Sequence, residues 1–267
     1  MTEKLRLYGF NNLTKTLSFN LYDVCYAKTT REQEDYLEYI DEQYNSERIT
    51  AILCRVTEMI GANILNISKQ DYEPRGASVN ILISEDLVPD DLVDPSNNKG
   101  ILLGGEAIHA HLDKSHITVH TFPEAHPNRA ISTFRVDIEV STCGRVSPLN
   151  VLDYLINSFE SDIMSIDYRV RGFTRDKDGR KHFLDHEITS IQDYIGADTL
   201  SRYQAMDVNV YQSNIFHTKL MLRDINLQRY LFNLDADALS EEAKARIKHA
   251  LKEEMIEIYS GMNIYDR

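Results

Sequence analysis

Apolar residues recur along the chain at two spacings, which divide most of it into strands and helices. The runs SFNLYDVCYA, ANILNIS and ASVNILIS carry the β-branched, aromatic and alternating residues that are typical of strands. Apolar residues three and four positions apart predict one helix over 31–45 and another over 47–60. Thr30 and Gln33 have the spacing of a capping box, so we expect the first helix to begin there.

The second half of the chain continues this alternation of elements. We predict strands in SHITVHTF, STFRVDIEVST and DIMSIDYRVRGF, one or two more within DVNVYQSNIFHTKLMLRDI, and strand-like runs in LRLYGF and EAIHAHL. PLNVLDYLINSFES is typical of a helix that opens on Pro148, and Ser240 is expected to cap a closing helix. Prolines, glycines and Asn-Asn predict a long surface loop over 85–105.

Strands and helices interleave irregularly and are joined by turns of hairpin length. This order favours an α+β fold, a sandwich in which a largely antiparallel sheet is packed by helices. The 267 residues, of which 42% are hydrophobic, suffice for a substantial core. We therefore expect a single domain over 1–267.

The charge balance excludes some classes of partner. The chain has 29 basic and 42 acidic residues, a formal net charge of −13, with no basic run to offset it. Nucleic acid and anionic membranes are poor partners for such a surface, because phosphate binding needs concentrated positive charge. With no long apolar segment and no signal-peptide pattern, the sequence predicts a cytoplasmic protein.

The stretch HLDKSHITVH and its surroundings offer the most chemistry. Four histidines fall close together, but the chain has neither a CxxC pair nor an HExxH motif, so a metal site is the weaker interpretation. An HxxxH pair further along the chain lies among charged residues, which indicates two solvated histidines in a loop. Ser115 lacks a GxSxG elbow, so these residues alone also allow an ordinary serine at the start of a strand. The four clustered histidines are His109, His111, His116 and His120, and the HxxxH pair is His182 and His186.

Two blocks taken together, SHITVHTFPE and DIEVSTCG, resemble the S-adenosylmethionine decarboxylase family. The likeness extends to the long bacterial form of that family through GFNNLTKTLSF, QDYEPRGASV, AHLDKSHI, DYRVRGFTRD and VNVYQSNIFHTK. It covers nearly the whole chain. The resemblance implies pyruvoyl-dependent decarboxylation of S-adenosyl-L-methionine, which supplies the aminopropyl donor for spermidine.

Members of this family are made as proenzymes, and the resemblance implies the same for this chain. The hydroxyl of Ser115 would attack the carbonyl carbon of Lys114, and elimination from the resulting ester would cut the chain into 1–114 and 115–267. Residue 115 would then become a pyruvoyl group at the new amino terminus. Such a group forms a Schiff base with the substrate amine and withdraws electrons as carbon dioxide leaves.

The resemblance also implies roles for individual residues. His120 would take the α-proton of residue 115 during processing, and Cys143 would return a proton to the substrate carbon. A thiol suits this donor role, because its usual pKa of about 8.5 leaves it largely protonated at neutral pH. Glu124 is a candidate substrate contact, Ser78 a candidate for assisting the cleavage, and Phe10 a candidate for stacking on the adenine.

Several points stay open at the level of sequence. The resemblance suggests an oligomer of processed pairs and activation by a divalent cation such as Mg²⁺, with carboxylates as ligands. The alternatives are a pyruvoyl-dependent decarboxylase of arginine or ornithine, and a non-catalytic partner or metal-binding subunit. Ser115 and His120 are five positions apart, which in a regular strand directs them to opposite faces. We therefore expect a distorted backbone near 115–116.

Overall fold

The computed structural model describes residues 12–84, 115–126, 129–143, 146–176 and 178–264. The strand-like runs LRLYGF and EAIHAHL and the loop predicted over 85–105 all fall outside these ranges. Those predictions therefore lie outside the described residues.

An eight-stranded sheet dominates the fold, and all its neighbouring strands are antiparallel. Its order is β2-β3-β4-β5-β1-β6-β10-β9, and β7 and β8 form a separate hairpin. The strands are β1 (Thr14–Tyr26), β2 (Asn63–Asp71), β3 (Ala77–Ser84), β4 (His116–Ala125), β5 (Ile131–Cys143), β6 (Ile163–Arg171), β7 (Thr174–Arg175), β8 (Lys181–His182), β9 (Tyr203–Asp207) and β10 (Ile215–Leu222).

Helices pack on both faces of this sheet. They are α1 (Thr30–Gln43), α2 (Ser46–Ile60), α3 (Leu152–Phe159), α4 (Ala197–Arg202), α5 (Leu227–Tyr230) and α6 (Glu241–Ser260). One core lies under α1, α2 and α3, and a second lies between the other face of the sheet and α6. The predicted α+β sandwich with an antiparallel sheet is confirmed. None of the described helices is long and apolar enough to span a bilayer.

The start of the first helix differs by one residue from the prediction. Thr29, not Thr30, is the N-cap: its hydroxyl accepts from the Glu32 amide at 3.2 Å, and the Glu32 carboxylate accepts from the Thr29 amide at 2.8 Å. The box therefore uses Glu32 in place of Gln33. Gln33 is instead buried, and its side-chain amide donates to the carbonyls of Ala27 and Arg129.

The remaining helices agree with the pattern more closely. The helix predicted over 47–60 is α2, and Ser240 caps α6 by accepting from the Ala243 amide. The segment that opens on Pro148 begins as a 3₁₀ turn and becomes the α-helix α3 at Leu152. Ser115 and Cys143 lie where β4 begins and β5 ends.

Candidate active site

Ser115 lies directly before β4 and is almost fully buried, with 2% of its surface exposed. Its carbonyl accepts from the Ile83 amide at 3.2 Å, which ties the residue to the neighbouring strand β3. Its hydroxyl Oγ lies 3.1 Å from the Cys143 thiol Sγ at the end of β5. The two residues with the most specific chemistry in the sequence are therefore in contact, although 28 positions separate them.

The contact joins two residues that strict strand alternation places on opposite faces of the sheet. His116 pairs with Ser141, so the side chains of Ser141 and Cys143 share a face with those of His116 and His120. Regular alternation would direct Ser115 to the opposite face, which is the apolar one. The distorted backbone expected near residues 115–116 stays a prediction.

His116 is the first residue of β4, and its side chain shares a face of the sheet with Cys143. Its Nε2 lies 3.2 Å from the Glu139 carboxylate Oε1, and both side chains are partly exposed. The pair is the first polar contact beyond Ser115 along β4. Glu139 is a residue that sequence reasoning missed, because its neighbour across the sheet depends on the register of β4 against β5.

His120 occupies a different part of β4. It is exposed, its Nδ1 lies 3.2 Å from the Tyr72 hydroxyl, and it pairs across strands with Ser78. Since an extended strand rises about 3.3 Å per residue, the Cα atoms of residues 115 and 120 are about 16 Å apart. Ser78 and His120 are brought together on this face, but away from Ser115 within one chain.

The other predicted site residues are dispersed or lie outside the described residues. Glu124 is exposed near the far end of β4 and accepts from the Thr133 hydroxyl at 3.2 Å. Lys114, Phe10, His109 and His111 lie outside the described residues.

Of the HxxxH histidines, His186 lies in a loop as expected, but neither side chain is solvated as expected. His182 is in β8 and contacts the Asp176 carboxylate at 2.9 Å, and His186 contacts the Asp185 carboxylate at 2.7 Å. The two side chains are only 24% and 17% exposed. Each imidazole is thus held by its own aspartate. In the described part of the chain, no group of three or more histidines, cysteines and carboxylates could hold a metal ion.

Comparison with known proteins shows the family of the chain. A family model described as S-adenosylmethionine decarboxylase matches residues 39–172. Proteins named S-adenosylmethionine decarboxylase proenzyme from Alkaliphilus oremlandii and Clostridium perfringens are each 68% identical to this chain, and each match covers 99% of both chains. One of the same name from Halorhodospira halophila is 58% identical over 98% of this chain and 96% of its own. The chain belongs to the S-adenosylmethionine decarboxylase family.

In this family member, the matched region contains both sides of the Ser115–Cys143 contact. It also contains Tyr72, which sequence reasoning did not single out as the partner of His120. Two further residues escaped the sequence interpretation. Lys15 and Asp185 form a buried ion pair next to the end of β5, and Lys15 is fully buried.

Proposed function

We propose that this chain decarboxylates S-adenosyl-L-methionine by means of a pyruvoyl group that it makes from Ser115. The observation that carries the proposal is the 3.1 Å contact between the Ser115 hydroxyl and the Cys143 thiol. It joins a nucleophile at the predicted cleavage point to a proton donor in a nearly buried position. The proenzymes named above support S-adenosylmethionine as substrate over arginine or ornithine.

Residue 115 fits the requirements for forming that group. Conversion needs a hydroxyl on the residue after the cut bond, and Ser115 supplies one in a site that excludes bulk water. The hydroxyl adds to the Lys114 carbonyl carbon and the peptide bond becomes an ester. Loss of the α-proton of residue 115 then expels residue 114 as a carboxylate and leaves dehydroalanine at position 115. Water hydrolyses this group, and the nitrogen of residue 115 leaves as ammonia.

Cys143 is proposed as the acid that completes the reaction. The pyruvoyl carbonyl, once present, supplies an electron sink for the pair released with carbon dioxide. The thiol of Cys143 already lies beside residue 115, so a proton can reach a substrate held there without a large movement. Proton donation by a positioned side chain typically contributes about 10²–10⁴-fold to a rate.

His120 keeps its proposed role in removing the α-proton, but the spacing along β4 constrains how it acts. A separation of about 16 Å prevents direct transfer from residue 115 of the same chain. We therefore propose that the chain assembles with further copies and that His120 of one copy serves Ser115 of another. Its exposure, beside Ser78 and Tyr72, leaves it accessible to a second molecule.

Mixing two inactive variants tests this division of labour. His120→Ala chains should stay uncut alone, and Ser115→Ala chains cannot be cut. Co-expression should restore cleavage of the tagged His120→Ala chain, because the Ser115→Ala chain supplies an intact histidine. An uncut tagged chain in isolated mixed oligomers would contradict the proposal, as would full cleavage of His120→Ala alone.

The cleavage itself is tested by gel electrophoresis of purified protein. The chain of 30.8 kDa should appear as two fragments of about 13 and 18 kDa. Ser115→Ala should remain whole. Ser132→Ala is the matched control, since Ser132 is equally buried and its hydroxyl has no hydrogen-bond partner in the described residues. An uncut control, or a cut Ser115→Ala chain, would refute the assignment.

Release of labelled carbon dioxide separates the candidate substrates. We expect it from carboxyl-labelled S-adenosylmethionine and not from arginine or ornithine, which are the substrates of the alternative enzyme. Addition and removal of Mg²⁺ in the same assay tests the expected cation. Activation by Mg²⁺, a cytoplasmic location and the lack of nucleic-acid partners stay predictions from the sequence.

A further inference from the structure

A fully buried lysine lies next to the candidate site, on the apolar face of the sheet. Lys15 is 0% exposed and shares its face of β1 with Leu17 and Phe19. Its ammonium Nζ lies 2.5 Å from Asp185 Oδ2 and donates to the Val146 carbonyl at 3.1 Å. A buried charge is costly unless it is paired and hydrogen-bonded, so these contacts hold the ammonium in one place.

Lys15 interacts with residues on both sides of Cys143 in the sequence, through its backbone and through its ammonium group. Lys15 pairs across strands with Thr142, the residue before the cysteine. The Thr142 hydroxyl donates to the Val146 carbonyl at 3.2 Å, and this is the carbonyl that Lys15 also contacts. The Val146 carbonyl, three residues after Cys143, is therefore held by both the Lys15 ammonium and the Thr142 hydroxyl.

Asp185 is itself held in a fixed position and charge state. Its Oδ1 contacts His186 Nδ1 at 2.7 Å while its Oδ2 contacts Lys15. Burial alone would raise the pKa of Asp185, but the His186 and Lys15 contacts outweigh burial and lower it to about 2. The carboxylate is thus ionised at neutral pH and can serve as a permanent counter-ion for the buried ammonium.

We infer that Lys15 and Asp185 are positioning residues that hold the Cys143 thiol in place to protonate the substrate. The inference rests on the proposed function. Neither residue contacts the reacting atoms in this account. Both act through Thr142, Val146 and the end of β5.

A misplaced thiol has a specific chemical consequence. When the proton reaches the substrate α-carbon, hydrolysis releases the decarboxylated amine and restores the terminal carbonyl. When the proton instead reaches the α-carbon of residue 115, hydrolysis releases an aldehyde. The substrate nitrogen then stays on the chain, and residue 115 becomes alanine. Each route consumes one water and releases one carbon dioxide, and neither needs an oxidant or reductant. The alanine content of the second fragment therefore reports on where the proton goes.

Removal of both charges separates positioning from the cost of an unpaired buried charge. Loss of one partner leaves the other uncompensated, whereas replacement of both by apolar residues of similar size is often tolerated. We therefore choose Lys15→Met with Asp185→Leu, and Asp185→Asn as a milder single variant. Asp162→Asn is the control: Asp162 is buried, accepts from the Tyr230 hydroxyl at 2.7 Å, and bonds the Val24 amide about 30 Å along β1 from Lys15.

The measurement is the terminus of the second fragment, by intact mass and N-terminal sequencing, after equal numbers of turnovers. Alanine per turnover should rise about 10–100-fold in the double variant, since a misplacement of about 1 Å can cost 10²-fold. Cys143→Ala should show the largest rise, and Asp162→Asn should match the unmodified protein. If the double variant yields no cleaved protein, Asp185→Asn decides.

Unchanged alanine per turnover in the deciding variant would overturn the positioning role. A pyruvoyl terminus missing from the unmodified protein would instead overturn the proposed function, so the two failures are distinguishable.

Discussion

At the scale of single residues, the Cys143 thiol is the group whose role is most open to a direct test. Cys143→Ala should leave cleavage intact, because the thiol is assigned to the decarboxylation and not to the attack on Lys114. It should lower the decarboxylation rate by about 10²–10⁴-fold, the usual contribution of a positioned proton donor. Quantified cleavage and carbon dioxide release on the same preparation check this expectation.

Cys54→Ala is the matched control for that variant. Cys54 is another partly buried cysteine, but it lies in α2, away from the end of β5. It should retain both cleavage and rate. Equal rate losses in the two variants would contradict the assignment to Cys143.

The sequence predicted the chemistry of Ser115 and Cys143 but not their contact. Their atoms meet only because β4 and β5 pair in one particular register, and register depends on the whole packed sheet. Lys15, by contrast, left a signal that could have been used. It falls at a position where β1 otherwise places apolar residues, as Leu17, Phe19 and Leu21 show. A charged residue at a position that faces the apolar side of a strand indicates a buried partner, but it does not identify that partner.

At the scale of elements, the start of α1 gives a sharp comparison between adjacent threonines. Thr29→Ala should lower the free energy of unfolding by about 1 kcal/mol, since it removes a side-chain cap. Thr30→Ala is the matched control and should have little effect, because Thr30 is exposed and within the helix. Chemical denaturation of both variants checks the difference, and a larger loss for Thr30→Ala would contradict it.

The one-residue error in this cap has a physical origin. Both Thr29–Glu32 and Thr30–Gln33 satisfy the spacing of a capping box, so local pattern does not separate them. The choice is made by tertiary structure, because Gln33 is buried and donates to carbonyls on a distant segment. Elements with strong periodicity, such as α2 and β5, were predictable because their apolar faces are long.

Two neighbouring carboxyl groups, Asp23 at the far end of β1 and the buried Asp162, predict a pH dependence of stability. Burial first, and then neighbouring Asp162, raises the pKa of Asp23 well above its ordinary value. A raised folded-state pKa means that the protonated form is favoured by folding. The contribution to stability is therefore full below the ordinary pKa of about 4 and is lost as the pH rises through the raised value.

Asp23→Asn should remove this loss. Its unfolding temperature relative to the unmodified protein should increase as the pH rises above about 4, the ordinary pKa of an aspartate. Asp35→Asn, at an exposed position on α1, should show no such trend. A flat difference for Asp23→Asn across that range would contradict the prediction.

At the scale of the whole molecule, the sheet explains how a cut chain can stay together. The proposed first fragment supplies β1, β2 and β3, and the second supplies β4 to β10. β1 lies between β5 and β6, and β3 pairs with β4, so three hydrogen-bonded ladders join the fragments. Cleavage before Ser115 breaks none of them.

The two fragments should therefore elute together in size-exclusion chromatography without denaturant, and separate only when the sheet unfolds. Ser115→Ala, which cannot be cut, should elute at the same position. Separation of the fragments under native conditions would contradict this role of the sheet.

The order of the strands could not be predicted from sequence. Pattern predicted the α+β class and most of the strands, because burial on one face imposes its own period. It did not place the first strand at the centre of the sheet between two strands from the second half of the chain. That insertion depends on contacts more than a hundred residues apart, as the pairing of Asn20 with Asp137 illustrates.

The chemical state of residue 115 in the active protein tests the account most directly. Intact mass and N-terminal sequencing of the second fragment give that state. We expect a fragment that begins at residue 115, is resistant to N-terminal sequencing, and is lighter by one ammonia than a fragment beginning with serine. An active preparation in which the chain is uncut and Ser115 remains serine would contradict it.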